Sequence, residues 1–269
     1  MITKKELFAQ LEGMGAPRDR VVMMHVALRL VGEVEGGAEG LLDAMIEYFT
    51  ARGGLLCIPT HTWDNLGLDK FTLDLTKCES NLGAFPVIAL QDGRGVRSEN
   101  PSHSVVVFGD PARAEALTAG EAHLKTPTAP ESIYGKLYYE DGLVLLVGVG
   151  QNKNTYLHAV DEILGTKNRM GGDPYEVSVR RPSGEIINGE MILFNYEGDY
   201  IDDICLRFPK FDLPFRYYGC VGDGFLGDAP AQLCSARGMF DVMKLIYERC
   251  PFDPLADEIP IPPKYYVKR

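Results

Sequence analysis

Four of the five histidines share one placement, beside a predicted buried strand or at the start of the helix that follows one. They are His25, His61, His103 and His158. An imidazole titrates near neutral pH and can take a proton from a reacting group. In an open α/β sheet, ligands bind beyond the carboxyl ends of the strands, so side chains placed there can reach one site. The placement therefore predicts general-base chemistry at one edge of a sheet.

The segment 143–162 gives the strongest support for general-base chemistry. It opens with five apolar residues and continues through a glycine-containing loop, after which His158 and Asp161 recur at helical spacing. The pattern predicts a strand, a loop and a helix that Asn154 or Thr155 can cap. A carboxylate beside an imidazole favours a general base. The alternative is structural, since acids in a first helical turn also stabilise the helix dipole.

Other chemistries are disfavoured by missing motifs. No H-E-x-x-H or clustered Cys/His spacing supports a zinc site, so no metal is expected. Gly148 and Gly150 begin like a dinucleotide fingerprint, but Lys153 stands at the third glycine position and no Walker A sequence is present. A hydrolase using Ser104 with His158 lacks the G-x-S-x-G elbow. Hydride transfer, phosphoryl transfer and serine hydrolysis are therefore not predicted.

The order of the apolar runs predicts an α/β fold. Runs at 21–25 and 55–58 flank an amphipathic helix at 41–49, which makes a βαβ unit with parallel strands. Later runs at 105–108 and 143–147 add strands to the same sheet.

The pattern changes from about residue 171. Alternating runs at 175–179 and 190–194 predict antiparallel strands, and the sequence then predicts a short strand at 217–221 and a helix at 228–246. We therefore expect the C-terminal part of the chain to be an elaboration of the α/β unit.

Composition narrows the class of protein. The 269 residues with 45% hydrophobic content can form one large domain, 1–269. A net charge of −11 argues against nucleic-acid binding and is compatible with a cationic small molecule. The six cysteines form no C-x-x-C pair, and no apolar run is long enough to span a bilayer. These features predict free thiols, a cytoplasmic location and no membrane partner.

Five segments, in the order in which they occur, resemble the aminoglycoside 3-N-acetyltransferases. They are Met24-His25 through Gly37, Ile58-Pro59-Thr60-His61-Thr62, Arg97-Ser98 with 101–109, Gly148-Val149-Gly150 with 154–158, and Gly227-Asp228-Ala229 with Leu233 and Arg237. The resemblance runs from about residue 3 to about residue 247. It implies a three-layer α/β/α fold with a largely parallel central sheet and an antiparallel C-terminal extension. It also implies acetyl-CoA as co-substrate and an amine as acceptor, and it leaves a homodimer open.

The resemblance also assigns residues. By position, the residues implied to line the acetyl-CoA channel are His25, Val26, Ala27, Leu28, Thr60, His61, Thr62, His103 and Ser104. His158 matches the family's histidine base, and Asp161 stands where the family has a glutamate. Glu197 corresponds to a second family carboxylate. Thr62, Ser104 or backbone N–H groups are expected to hold the developing oxyanion.

Two departures from the family pattern keep a rival open. The family commonly has His-Ser-Ser where this chain has His25-Val26-Ala27, and His-Pro where it has Asn100-Pro101. The lost hydroxyls favour a non-catalytic member that binds CoA or another ligand, whereas the retained His158 favours an enzyme.

The remaining expectations concern the acceptor and the route of transfer. Acidic residues predict a mouth that attracts a polycationic amine, and they are Asp64, Asp69, Asp74, Glu79, Asp161, Glu162, Glu197 and Asp199. No cysteine lies in the predicted cleft loops at 25–32, 60–63 and 100–104. Direct transfer from a ternary complex is therefore expected.

Overall fold

The computed structural model describes residues 1–167, 169–194 and 204–268. Its strands are β1 (Val21–Val26), β2 (Leu55–Pro59), β3 (Leu73–Asp74), β4 (Val96–Arg97), β5 (Val105–Phe108), β6 (Leu143–Val147), β7 (Met170–Arg180), β8 (Ile186–Phe194), β9 (Val221–Leu226) and β10 (Ala229–Ser235). Its α-helices are α1 (Lys4–Gly13), α2 (Gly37–Thr50), α3 (Ala84–Asp92), α4 (Pro111–Thr118), α5 (Ile133–Tyr139), α6 (Tyr156–Ile163), α7 (Asp212–Tyr217) and α8 (Ala236–Arg249). Short 3-10 helices cover Leu28–Leu30, Trp63–Asn65, Glu121–His123, Gln151–Lys153, Ile204–Phe211 and Pro263–Tyr265.

A seven-stranded sheet in the order β4-β5-β2-β1-β6-β10-β9 forms the middle layer. Successive side chains of a strand point to opposite faces, and both faces of this sheet are buried. Val22 and Met24 of β1 pack with α1, α2 and α3, whereas Val21 and Met23 pack with α5, α6 and α8. Continuous apolar runs such as 143–147 are the consequence of this double coverage. The predicted three-layer α/β/α fold is confirmed.

The parallel part of the sheet is its centre. β1 pairs in parallel with β2 and with β6, as the βαβ prediction required. The flanking strands β5 and β10 pair antiparallel with β2 and β6, and β4 and β9 continue these pairings outward. Because β5 runs opposite to β2, its first residue, Val105, lies beside Pro59 at the carboxyl end of β2.

Two predictions for the C-terminal part are wrong. Residues 217–221 are not a strand, because α7 ends at Tyr217 and β9 begins only at Val221. The helix predicted from 228 begins at Ala236, after β10. In β10, Ala229, Ala231 and Leu233 are buried at alternate positions, so the period of two in this stretch specifies a strand.

A smaller sheet, β3-β7-β8, lies beside the main one. β7 and β8 form the predicted antiparallel hairpin, and β3 adds in parallel to β7. This arrangement brings the irregular segment after Trp63 against the hairpin, with Asn65 donating a hydrogen bond to the carbonyl of Thr72 and Thr72 bonded to Ser178. Across the described ranges, no helix is both long and apolar enough to cross a bilayer.

Candidate active site

The four predicted histidines converge on one cavity of about 530 Å³. His25 is the penultimate residue of β1, His61 follows β2 and His103 precedes β5, whereas His158 lies in the helix after β6. The carboxyl ends of β1, β2 and β6 share one edge of the sheet, and the antiparallel β5 begins at that same edge. The topology therefore assembles side chains that are far apart in the sequence.

Two aromatic rings hold His158 in place. The ring of Phe194 stacks on it with centroids 3.9 Å apart and planes 18° apart, and Phe208 contacts it edge-on at 4.8 Å. Its Nε2 atom lies 2.9 Å from Sγ of Cys205, which also lines the cavity. Packing on both sides fixes the ring plane, so Nε2 has a defined direction within the cavity.

Burial keeps these imidazoles neutral at physiological pH. It lowers the pKa of His158 to about 3, with His103 and Arg169 adding smaller effects of the same sign. It also lowers the pKa of His25 to about 4 and of His103 to about 3, and it places the pKa of His61 well below its ordinary value. Desolvation disfavours the charged form of each ring. The cavity therefore offers proton acceptors rather than cations.

His61 and His103 form the far wall of the cavity. Their ring centroids lie 4.3 Å apart, and Trp63 contacts His61 edge-on at 5.0 Å. The hydroxyl of Tyr134 lies 2.6 Å from Nε2 of His61, and Oγ of Ser102 lies 2.9 Å from Nδ1 of His103. Trp63 thus serves as a cavity wall.

The hydroxyls predicted to bind the co-substrate form hydrogen bonds within the protein. Oγ of Ser104 donates to the carbonyl of Thr60. The same Oγ lies 2.9 Å from the side-chain hydroxyl oxygen of Thr60. Thr62 donates to the carbonyl of Pro101 at 3.1 Å. All three side chains are buried, and these bonds join the two cleft loops. Contacts of Thr60, Thr62 and Ser104 with a ligand or an oxyanion stay a prediction.

Val26, Ala27 and Leu28 are half-buried where β1 ends. Leu28 lines a second cavity of about 390 Å³, together with Gly32 and with Gly37 at the start of α2. A side chain at Gly32, whose φ is +84°, would place its Cβ 2.2 Å from the carboxylate of Asp228. The predicted loop therefore reaches a second cavity, and the 227–229 turn packs on it.

Asp161 has contacts other than the predicted ones. One carboxylate oxygen accepts from Nε of Arg169 at 2.8 Å, and the other accepts from the hydroxyl of Tyr247 at 2.6 Å. Arg169 also binds Asp253 through two bonds of 2.8 Å. Burial raises the pKa of Asp161, and Arg169 opposes that shift. Asp161 therefore anchors α6 through Arg169, and its predicted role beside His158 stays a prediction.

Comparison with known proteins supplies the family. A family model described as aminoglycoside 3-N-acetyltransferase matches residues 23–248. The chain belongs to this family. The family consists of acyltransferases, so the cavity around His158 is the candidate active site of an enzyme.

Individual relatives agree with this assignment. Aminoglycoside N(3)-acetyltransferase IV of a Salmonella species is 27% identical over 87% of this chain and 83% of its own length. A histidine-to-alanine mutant of aminoglycoside acetyltransferase AAC(3)-IVa, solved in complex with a gentamicin, has a TM-score of 0.74 at 25% identity and covers 93% and 90% of the two chains. A structure of AAC-IIIb with CoASH has a TM-score of 0.76 at 22% identity and covers 91% and 96%, which shows the shared fold.

The acids that were predicted to form the mouth of the cleft do not all face one cavity. Several of the predicted acids have partners within the protein. Glu162 accepts hydrogen bonds from Thr126 and Thr128. Asp74 accepts from Thr76, and Glu79 forms an ion pair with Lys77. Glu197 and Asp199 lie outside the described residues.

Acids that the sequence reasoning missed line a neighbouring cavity. Glu176 and Glu190 of the β7/β8 hairpin join Asp69 around a cavity of about 1030 Å³. Their alternation along the two strands was the available signal, because every second residue of a hairpin shares a face.

The predicted side-chain cap of α6 is wrong. α6 begins without a side-chain cap, because Asn154 donates to Gln151 and Thr155 makes no capping bond. Within the described ranges, no group of three His, Cys, Asp or Glu side chains is arranged to hold a metal ion.

The neutral histidines predict a steep loss of stability in acid. A group with a lowered pKa takes up its proton on unfolding, so the free energy of unfolding falls as the pH drops below about 6.5, the value in the unfolded chain. For His103 this loss is about 2 kcal/mol between pH 7 and pH 5. We therefore expect that His103→Gln weakens the pH dependence by about that amount in urea unfolding at the two pH values.

The exposed His123 supplies the control for this prediction. It lies on the 3-10 helix Glu121–His123 and is not among the residues that line the cavity. We expect His123→Gln to leave the pH dependence unchanged. Equal pH dependence in wild type and His103→Gln would show that His103 is not held neutral by burial.

Proposed function

We propose that this protein transfers the acetyl group of acetyl-CoA to an amino group of an aminoglycoside or a related amine, with His158 as the general base. The observation that carries the proposal is the neutral, clamped imidazole of His158 in the cavity at the sheet edge. Family membership and the relatives solved with a gentamicin and with CoASH support it.

The co-substrate is proposed to enter along the loop 25–28. The second cavity, between Leu28 and the start of α2, is proposed to hold the part of acetyl-CoA beyond the thioester, because Leu28 of that loop lines it. His25 lines the main cavity and its buried Nε2 has no hydrogen-bond partner among the described residues, so it is available to a ligand. His61 and His103 wall the space proposed for the acetyl group.

The base is proposed to act on the incoming amine. An ammonium must lose a proton before its nitrogen can attack a thioester, and a neutral imidazole within hydrogen-bond reach can take that proton. Because burial disfavours the imidazolium of His158, a carboxylate is needed to stabilise it as it forms. We propose Glu197 for this role, since it follows by three residues the Phe194 that stacks on His158. Asp161 is proposed as a positioning residue.

Transfer is proposed to be direct. Cys205 lines the cavity but lies outside the predicted cleft loops at 25–32, 60–63 and 100–104. A two-step route, in which its thiol first accepts the acetyl group, is therefore the alternative. An acetylated cysteine would be a thioester like acetyl-CoA itself, so it would make the attack by the amine no easier. Mass spectrometry of the enzyme with acetyl-CoA and no acceptor decides between the routes. We expect no acetyl-enzyme, and its accumulation on Cys205 would establish the two-step route.

The acceptor is proposed to be a polycationic amine. Asp69, Glu176 and Glu190 line the neighbouring cavity, and the chain carries a net charge of −11. Attraction between exposed charges is screened over roughly 10 Å at 0.1 M salt. We therefore expect the KM for a polycationic aminoglycoside to rise with added salt, as measured by thiol release from acetyl-CoA. A neutral amine serves as the control, and its preferred turnover would contradict the proposal.

The rival function is a non-catalytic member that binds CoA. The absence of serines at Val26 and Ala27 favours it, whereas the positioned His158 favours the enzyme. Isothermal titration with CoA, followed by the thiol-release assay, discriminates the two. Binding with release is expected, binding without release supports the rival, and no binding at millimolar CoA removes both.

A further inference from the structure

The thiol of Cys205 has no part in the proposed acetyl transfer. It lies on the 3-10 helix Ile204–Phe211 and lines the main cavity, with its sulfur 2.9 Å from Nε2 of His158. A thiol beside an imidazole can give up its proton to that ring when it attacks another sulfur. The pair therefore has nucleophilic chemistry of its own.

The proposed function brings a second sulfur close to this pair. A base must lie about 3 Å from the nitrogen it deprotonates, and that nitrogen must approach the thioester carbon to about 3–3.5 Å. The sulfur of CoA is bonded to that carbon. The sulfur of Cys205, in contact with the same Nε2 atom, therefore lines the cavity in which the proposed reaction places the CoA sulfur.

A further observation points to a ligand at this position. Nε2 of His25 is buried and lacks a hydrogen-bond partner among the described residues, and His25 lines the same cavity as Cys205. A buried polar atom left unpaired costs stability unless a ligand supplies its partner. The surroundings of Cys205 are therefore built to receive a molecule.

We propose that Cys205 is a modification site at which a disulfide of CoA forms a mixed disulfide with the enzyme and switches off acetyl transfer. The inference rests on the proposed function, because binding of the CoA moiety is what delivers its sulfur to Cys205. The modified enzyme would hold CoA covalently in the cleft and exclude acetyl-CoA from His158.

The reaction is a thiol–disulfide exchange and needs no other oxidant. The thiol of Cys205 gives its proton to Nε2 of His158 as its sulfur attacks one sulfur of CoA disulfide, so the imidazolium forms beside the negative charge that develops on the sulfurs. A bond forms between Sγ and that sulfur as the original S–S bond breaks. The second CoA leaves as a thiolate and takes the proton from His158. Excess dithiol reverses the exchange and restores the free thiol.

The other cysteines separate this proposal from general thiol reactivity. Cys57, Cys220 and Cys234 are buried, and burial raises the pKa of each thiol. Cys78 is exposed and is not among the residues that line the main cavity. Cys78 is therefore the matched control, because exposure alone would make it react at least as fast as the half-buried Cys205.

The test treats wild type, Cys205→Ser and Cys78→Ser with CoA disulfide or with glutathione disulfide at the same concentration. Mass spectrometry under non-reducing conditions locates the label, and the acetyl transfer of each treated sample is compared with that of the same untreated variant. We expect Cys205 in wild type and in Cys78→Ser to gain one CoA, about 10²-fold faster than it gains glutathione, because binding raises the local concentration of the disulfide. Activity should fall in step and return with dithiothreitol, and Cys205→Ser should show no change on treatment.

An unlabelled Cys205, or equal rates with the two disulfides, would overturn the inference. Titration of the untreated wild type with CoA separates this failure from a failure of the proposed function. If CoA binds and amines are acetylated while Cys205 stays unlabelled, only the modification site is wrong. If CoA does not bind, the modification site and the proposed function are both wrong.

Discussion

His158→Ala should lower kcat by about 10²–10⁴-fold, the usual contribution of a positioned general base. The alanine removes Nε2, the atom that faces the cavity beside Cys205, and leaves the sheet edge intact. The loss should appear in kcat and in kcat/KM alike, because the base acts in the transition state and contributes little to ground-state binding. Steady-state thiol release and calorimetric titration with CoA measure the two effects separately.

His123→Ala is the control for this variant, because His123 is exposed and lies outside the cavity. Its kcat should equal that of wild type. Near-full turnover in His158→Ala would remove the general-base role, and a large loss of CoA affinity in the same variant would assign His158 to binding.

Arg169→Ala should lower the free energy of unfolding by about 3–5 kcal/mol, the usual cost of removing one partner from a buried ion pair. Arg169 is only 3% exposed and bonds to the carboxylates of Asp161 and Asp253. Without it, Asp161 is left as a buried charge held by Tyr247 alone. Urea unfolding of the two proteins measures the difference.

Arg94→Ala provides the comparison, because Arg94 also pairs with two carboxylates, Asp43 and Asp92, yet its side chain is 52% exposed. Exposed pairs of this kind contribute about 0–1 kcal/mol. Equal destabilisation by the two substitutions would contradict the anchoring role given to Arg169.

The sequence predicted the histidine cluster because its members lie at strand ends. Parallel strands expose their carboxyl ends at one edge, so a βαβ unit with a further parallel strand brings His25, His61 and His158 together without any knowledge of side-chain contacts. The place of His103 could be explained only from the structure, in which β5 is antiparallel and begins at that edge.

Contacts between distant segments could not be predicted from the sequence. Cys205 is 47 residues from His158, and nothing in its own segment indicates that this residue of the helix Ile204–Phe211 lines the cavity. The partner of Asp161 was missed for a similar reason, since Arg169 lies eight residues further on and beyond the end of α6. The bond between the hydroxyls of Thr60 and Ser104 was not predicted either, although buried polar groups require partners.

The most direct test of the central claim is a single reaction of the purified protein with acetyl-CoA and a polycationic aminoglycoside, followed by mass spectrometry of the aminoglycoside and thiol release. We predict one acetyl group on an amino nitrogen for each CoA released, and a rate about 10²–10⁴-fold lower in His158→Ala. Binding of CoA with no acetylated amine, across a panel of aminoglycosides and simpler amines, would contradict the account.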